Sequence, residues 1–315
     1  MKALVTGAAG FIGSAISRRL IAEGHSVIGV DSLSDYYDVA IKQTHLKELI
    51  SSPHFSFIEE DLNTINFDEA VGVVDYIFHQ AGQPGVRRSW GSEFAIYTDA
   101  NVGATQRLLE WARSIHGLKK FIYASSSSVY GDAEAYPTTE TDRPQPLSPY
   151  GVSKLAAEHL CTLYAKNFGV PTVSLRYFTV YGPGQRPDMA FTRFVKAAIT
   201  GSPIQIYGDG EQIRDFTFVD DVVEANVRAA TAETPAGVVY NVAGGSNVSM
   251  NEVLRLLTEL SGNELNVEYV DAVAGDVRRT SGDTSRIAEA LGWTPRISLE
   301  EGLRHHLAWG RRNFG

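Results

Sequence analysis

The stretch Lys2-Ala3-Leu4-Val5-Thr6-Gly7-Ala8-Ala9-Gly10-Phe11-Ile12-Gly13 decides the fold. Lys2 to Thr6 reads as a short buried strand, and Ile16 and Leu20 beyond Gly13 fall on one face of a helix. Between them lies a glycine turn spaced G-x-x-G-x-x-G. Glycines there let backbone approach a pyrophosphate closely at the positive end of a helix, so Gly7, Gly10, Phe11, Ile12 and Gly13 are candidate cofactor contacts. A second strand, Ser26 to Val30, runs into Asp31, eighteen residues past Gly13. An acid at that point suits a ribose 2'-hydroxyl, and Ser32 and Leu33 offer no arginine for a 2'-phosphate, which favours NAD over NADP.

Further strands are expected at Phe55 to Ile58, Asp75 to His79, Lys119 to Ala124 and Thr172 to Arg176, alternating with helices. That alternation predicts an α/β fold with a doubly wound parallel sheet, whose strands present their carboxyl ends to the ligand crevice. Asp61 and Leu62 then fall near an adenine, and Gln80, Ala81 and Gly82 near a pyrophosphate; Asp61 reads equally well as a loop carboxylate or cap. His79 alternates with apolar residues and reads as a core histidine. Asn101, on a helix expected from Glu93 to Ile115, is a further cofactor candidate. Arg87 and Arg88 follow in a loop where one of them could meet a phosphate or carboxylate.

At 315 residues, 43% hydrophobic and 21% charged, the chain has ample core. Its net charge of -9 argues against nucleic acid as a partner. The single cysteine, Cys161, allows no internal disulfide and reads as core, and no Cys/His cluster has metal spacing. No run reaches the ~20 apolar residues of a membrane span, which makes the cytoplasm the expected compartment. After Tyr177 glycines and prolines interrupt short elements, so residues 1–177 are expected to form the dinucleotide-binding domain and residues 178–315 a smaller lobe interleaved with it. Helix starts there carry capping-box patterns at Ser249/Glu252 and Ser298/Glu301.

Ser148-Pro149-Tyr150-Gly151-Val152-Ser153-Lys154 puts a phenol and an ammonium on one face at the start of a helix capped by Ser148. A tyrosine becomes a useful base only if its pKa falls by two to three units, roughly 3 to 4 kcal/mol of differential stabilisation. Lys154 is expected to supply the cation, with an oxidised nicotinamide as the second. Four serines, Ser125 to Ser128, end the fifth strand. Their hydroxyls could bond a substrate and Tyr150, or merely cap their own backbone.

Together these motifs resemble the extended short-chain dehydrogenase/reductase family over nearly the whole chain, in particular the NAD-dependent nucleotide-sugar epimerases and dehydratases. The resemblance implies that Ser126, four residues before Tyr130, acts with Tyr150 and Lys154. Ser127 and Ser128 stand where dehydratases carry Asp-Glu, and hydroxyls cannot readily do a carboxyl group's proton transfer, so water elimination is disfavoured. Arg176-Tyr177-Phe178-Thr179-Val180-Tyr181-Gly182-Pro183, followed by Arg186-Pro187-Asp188-Met189, looks like the UDP-glucuronate 4-epimerases. In these the counterparts of Thr179 and Arg186 hold the sugar carboxylate, a task that suits a guanidinium fork. Gln205, Tyr207 and Arg214 resemble uridine and diphosphate contacts, and Asp276 and Arg278 a second phosphate and ribose contact; Arg87, Ser127 and Ser128 complete the implied sugar site. A homodimer through the Glu93 and Tyr150 helices is also implied. A UDP-glucose/UDP-galactose 4-epimerase, a UDP-glucuronate decarboxylase and a non-catalytic NAD-binding sensor are the alternatives; the last has no need of a Ser126, Tyr150 and Lys154 trio.

Overall fold

Seven strands form one parallel sheet: β1 (Lys2–Thr6), β2 (Ser26–Asp31), β3 (Phe55–Glu59), β4 (Tyr76–His79), β5 (Lys120–Ser126), β6 (Thr172–Tyr177) and, after three strands elsewhere, β10 (Val238–Val242). They appear in the computed structural model, which describes all residues but Val273, Ala274 and Asp276. The spatial order is β10-β6-β5-β4-β1-β2-β3, so the chain reverses direction across the sheet between β1 and β4, the point at which such sheets hold ligands. At that point the first turn lies against the fourth strand's end: a Cβ placed on Gly7, whose φ is +67°, would sit 2.8 Å from the Ala81 nitrogen, and one on Gly13 would collide with the Gly7 carbonyl. Only glycine permits this approach.

The remaining strands are β7 (Val180–Tyr181), β8 (Ile204–Tyr207), β9 (Ile213–Phe218), β11 (Ser246–Ser249) and β12 (Val267–Val270), which form a three-stranded sheet, β11-β9-β7, and a parallel pair, β12-β8. These lie beyond Tyr177, but β10 returns the chain to the main sheet beside β6. One apolar cluster runs without interruption from Phe11, Phe78 and Leu175 to Phe216, Met250 and Leu303, so the two parts of the chain share a core.

The expected helix from Glu93 to Ile115 is not uniform. A short α-turn, Phe94–Tyr97, passes into a π-helical segment, Thr98–Gly103, and then the helix Ala104–Ala112. The Ser249/Glu252 capping box is complete, whereas Ser298 accepts from the Glu301 amide and the Glu301 carboxylate lies 3.9 Å from His305 instead. His79 and Cys161 are buried. His79 sits between the Thr6 and Thr105 hydroxyls, at 2.7 and 2.9 Å, and burial holds its pKa down at about 3, so it stays neutral as a core histidine.

The helix Pro149–Phe168 is tied to β6 by a buried ion pair. Arg176 donates from Nε and Nη2 to the two oxygens of Glu158 at 2.9 and 2.6 Å, and from Nη1 to the Tyr130 hydroxyl at 2.7 Å. Tyr130 in turn donates to Asn241 on β10 at 2.7 Å. With both partners at most 4% exposed, removing one leaves a buried charge uncompensated. Glu158→Ala should therefore lose about 3–5 kcal/mol in urea unfolding, and the double substitution Glu158→Leu/Arg176→Met should lose less than the single. Equal losses would show that the charges are not coupled.

Candidate active site

A crevice of about 360 Å³ opens at the carboxyl ends of the strands. Its walls include Gly7, Gly10, Phe11, Ile12, Gly13, Asp31, Asp61, Leu62, Gln80, Ala81, Gly82, Tyr150, Lys154 and Arg186. The first helix, Phe11–Ala22, begins at Gly10 with no side chain capping it, which leaves its positive end to a ligand. Asp31 accepts from the Ala9 amide at 3.1 Å and the Leu33 amide at 2.9 Å, holding its carboxylate at the rim. Glycine cradle, uncapped helix end and rim carboxylate together fit a dinucleotide.

Asn101 is placed differently from the expectation. It is 1% exposed and lies behind the wall, where it accepts from the Gln83 amide at 2.6 Å and donates to the Gln83 carbonyl and to Ser153. Ser153 passes the link to the Tyr150 carbonyl at 2.7 Å. Asn101 thus fixes the loop after β4 to the Tyr150 helix rather than facing the crevice. Lys42 and the aromatic pair Tyr36 and Tyr37 do line the crevice, though the sequence reading passed over them. Lys42 donates to the Ser34 carbonyl at 2.7 Å and stands 4.0 Å from Asp31. A lysine in a helical pattern reads as solvated, and no local signal marks this one.

Ser148 caps the Tyr150 helix through the Gly151 amide at 3.1 Å, with Pro149 in its first turn. Tyr150 meets Tyr97 edge-on at 6.2 Å, and Tyr97 donates to the Pro84 and Gly85 carbonyls. The Ser126 hydroxyl accepts from the Ser128 amide at 3.1 Å, capping its own backbone, and also reaches the Tyr150 phenol. Ser125 instead donates to Glu158 at 2.6 Å.

Burial pushes the Tyr150 phenol up; the Ser126 hydrogen bond and then the Arg186 charge pull it down. The Lys154 ammonium lies 4.6 Å over the Tyr123 ring, and burial brings its pKa down to about 8, opposed by the nearby Cys161 thiol and Glu158 carboxylate. Arg176 and Ser125 engage Glu158, which keeps that carboxylate from claiming Lys154 outright.

Apart from Arg186, the expected sugar contacts are not among the residues that line this crevice. The Arg87 guanidinium stacks 3.9 Å over the Tyr207 ring, joining the loop after β4 to β8. Gln205 donates to Glu268 at 3.3 Å across the β8-β12 pair. Arg214, on β9, donates to the Ile213 carbonyl at 2.9 Å, and Arg278 grips exposed Asp209 at 2.9 Å. Thr179 is half-buried, its carbonyl accepting from Thr217, and Ser127 and Ser128 are half-buried beyond Ser126. Arg186 donates through Nε and Nη2 to both oxygens of Asp188 at 3.0 Å. Asp276 lies outside the described residues. Among the described residues no cluster could hold a metal ion, and no helix is long and apolar enough to cross a membrane.

With this geometry in place, residues 3–243 match the model of the NAD dependent epimerase/dehydratase family. The chain belongs to that family. Over 98% of both chains it is 42% identical to an uncharacterised UDP-glucose epimerase, YtcB, of Bacillus subtilis. It is 38% identical to the UDP-glucuronate 4-epimerase of Thermodesulfobacterium geofontis, covering 99% of this chain and 96% of that one. The solved structure of Bacillus cereus UDP-glucuronic acid 4-epimerase, in complex with UDP-glucuronic acid and NAD, superposes with a TM-score of 0.96 at 40% identity, covering 99% of this chain and all of the other.

A lysine whose folded pKa is depressed costs stability while protonated. For Lys154 that cost is complete below about pH 8 and disappears toward the unfolded value of 10.5. The unfolding free energy of the ligand-free chain should rise between pH 8 and 10.5, by on the order of 3 kcal/mol from this group. Denaturation across that range should show the rise in the wild type and its loss in Lys154→Met; identical profiles would contradict it.

Proposed function

We propose that the chain interconverts UDP-glucuronate and UDP-galacturonate by NAD-dependent 4-epimerisation, with residues 1–177 holding chiefly the cofactor and 178–315 chiefly the nucleotide-sugar. The observation that carries this reading is Arg186, a guanidinium on the crevice wall beside the Tyr150 phenol. A carboxylate on the sugar gives a fork there a partner; a neutral hexose does not.

Tyr150 as phenolate takes the proton from the sugar 4-hydroxyl, aided by Ser126, and gives it back after the ring has turned over. NAD, when bound, accepts the C4 hydride and supplies it again to the opposite face. Lys154 keeps positive charge beside this exchange. The 4-keto uronate is a β-keto acid, prone to lose carbon dioxide. Thr179 and Arg186, by fixing the carboxylate in the ring plane, keep the breaking bond out of line with the ketone π system. Arg87, Tyr207, Gln205, Arg214, Asp276 and Arg278 take the uridine diphosphate, for which Arg278 exchanges Asp209 for phosphate, and Ser127 and Ser128 face the sugar.

A homodimer in the cytoplasm completes the proposal. It is supported by Ile96, Val152 and Leu163, apolar residues about half exposed on the Phe94–Tyr97 and Pro149–Phe168 helices, and by the absence of any cysteine besides Cys161.

A UDP-glucose 4-epimerase is the second reading, favoured by the likeness to the Bacillus subtilis UDP-glucose epimerase YtcB. Incubation with each sugar nucleotide separates the two: UDP-glucuronate should yield UDP-galacturonate, while turnover of UDP-glucose alone, or release of carbon dioxide with a UDP-pentose, contradicts the proposal. Tyr150→Phe should lower kcat by about 10²–10⁴. Arg186→Gln should raise either the KM for the uronate or the decarboxylated fraction, and no change in both removes its assigned role.

A further inference from the structure

Arg186 is already engaged. Two parallel hydrogen bonds of 3.0 Å join its Nε and Nη2 to the Asp188 carboxylate, the same bidentate geometry that a substrate carboxylate seeks. The two residues are separated only by Pro187, whose fixed φ narrows the turn between them. Among the described residues Asp188 makes no other hydrogen bond or ion pair, and the helix that follows, Ala190–Thr200, starts at Met189 without a side-chain cap. Arg186 is 18% exposed and lines the crevice, whereas Asp188 is 38% exposed. Tyr36 lies 5.8 Å from the guanidinium on the crevice side.

We infer that Asp188 is a specificity-determining residue: an internal carboxylate that occupies Arg186 and sets how strongly the site prefers a uronate over a neutral hexose. The inference rests on the reading of Arg186 as the sugar-carboxylate ligand. An entering carboxylate either displaces Asp188 or binds the remaining edge of the guanidinium with Asp188 still present, and in both cases it meets a like charge on the same cation. A neutral sugar meets an ion pair with no net charge. Asp188 thereby weakens uronate binding selectively and allows the product carboxylate to leave, since the guanidinium always has a partner to return to.

The test compares the NAD-loaded wild type with Asp188→Asn, which keeps an oxygen for one hydrogen bond and removes the charge. The readout is the KM for UDP-glucuronate divided by the inhibition constant of UDP-glucose as a competitor. The ratio should fall about tenfold in the variant, the scale of one like charge at a partly exposed site, and the change should lie in KM rather than kcat. A ratio that stays the same or rises overturns the inference, because Asp188 then only orients Arg186. If the wild type fails to bind UDP-glucuronate, the substrate reading falls and this inference with it; an active wild type with an unmoved ratio sinks this inference alone. Asp188→Ala gives a second measure of the same charge, and its ratio should fall as well; a rise contradicts the account.

Discussion

A half-buried phenol and a buried ammonium on successive turns of one helix are expensive, since desolvation resists the charged form of each. The structure meets that cost locally. Ser126 and Arg186 favour the ionised state of Tyr150, the Tyr123 ring lies under the Lys154 charge, and Arg176 with Ser125 holds Glu158 so that the helix carries an anion one turn on without collapsing Lys154 onto it. The same Arg176 reaches Tyr130 and through it Asn241, so the helix is fastened to β6 and β10 at once. Position of the reacting groups and stability of the fold are here one network.

The crevice depends on a second constraint, the close approach of two turns at the β1-β4 boundary. Gly7 and Gly13 permit it, and Asn101 secures the second turn from behind through Gln83 and Ser153. Because Ser153 and Tyr150 share one helix, the Asn101 to Ser153 hydrogen bond ties the cofactor wall to that helix. The π-helical segment is the device that turns Asn101 inward.

Much of this was legible beforehand because periodicity and glycine spacing act locally. The parallel sheet, the Ser148 cap and the crevice wall from Gly7 to Gly82 follow from neighbours in sequence. Strands reached one or two residues further than expected, to Asp31 and Ser126, because pairing with Glu59 and Tyr177 continues their ladders. What could not be read depends on distant partners: Lys42 beside Asp31, Glu158 beneath Arg176, and Asn101 facing Gln83 rather than the crevice. The pull of Ser126 and Arg186 on the Tyr150 phenol could not be read for the same reason, since Arg186 arrives from 36 positions downstream.

The central claim is that hydrogen leaves the sugar at C4 and returns to the same carbon without meeting water, while Tyr150 handles only the hydroxyl proton. UDP-glucuronate carrying deuterium at C4, turned over in ordinary water, tests it directly by mass spectrometry and NMR of the product. The account predicts UDP-galacturonate that keeps the deuterium at C4. Loss of the label to solvent, or hydrogen exchange at C5 in deuterated water, would contradict it.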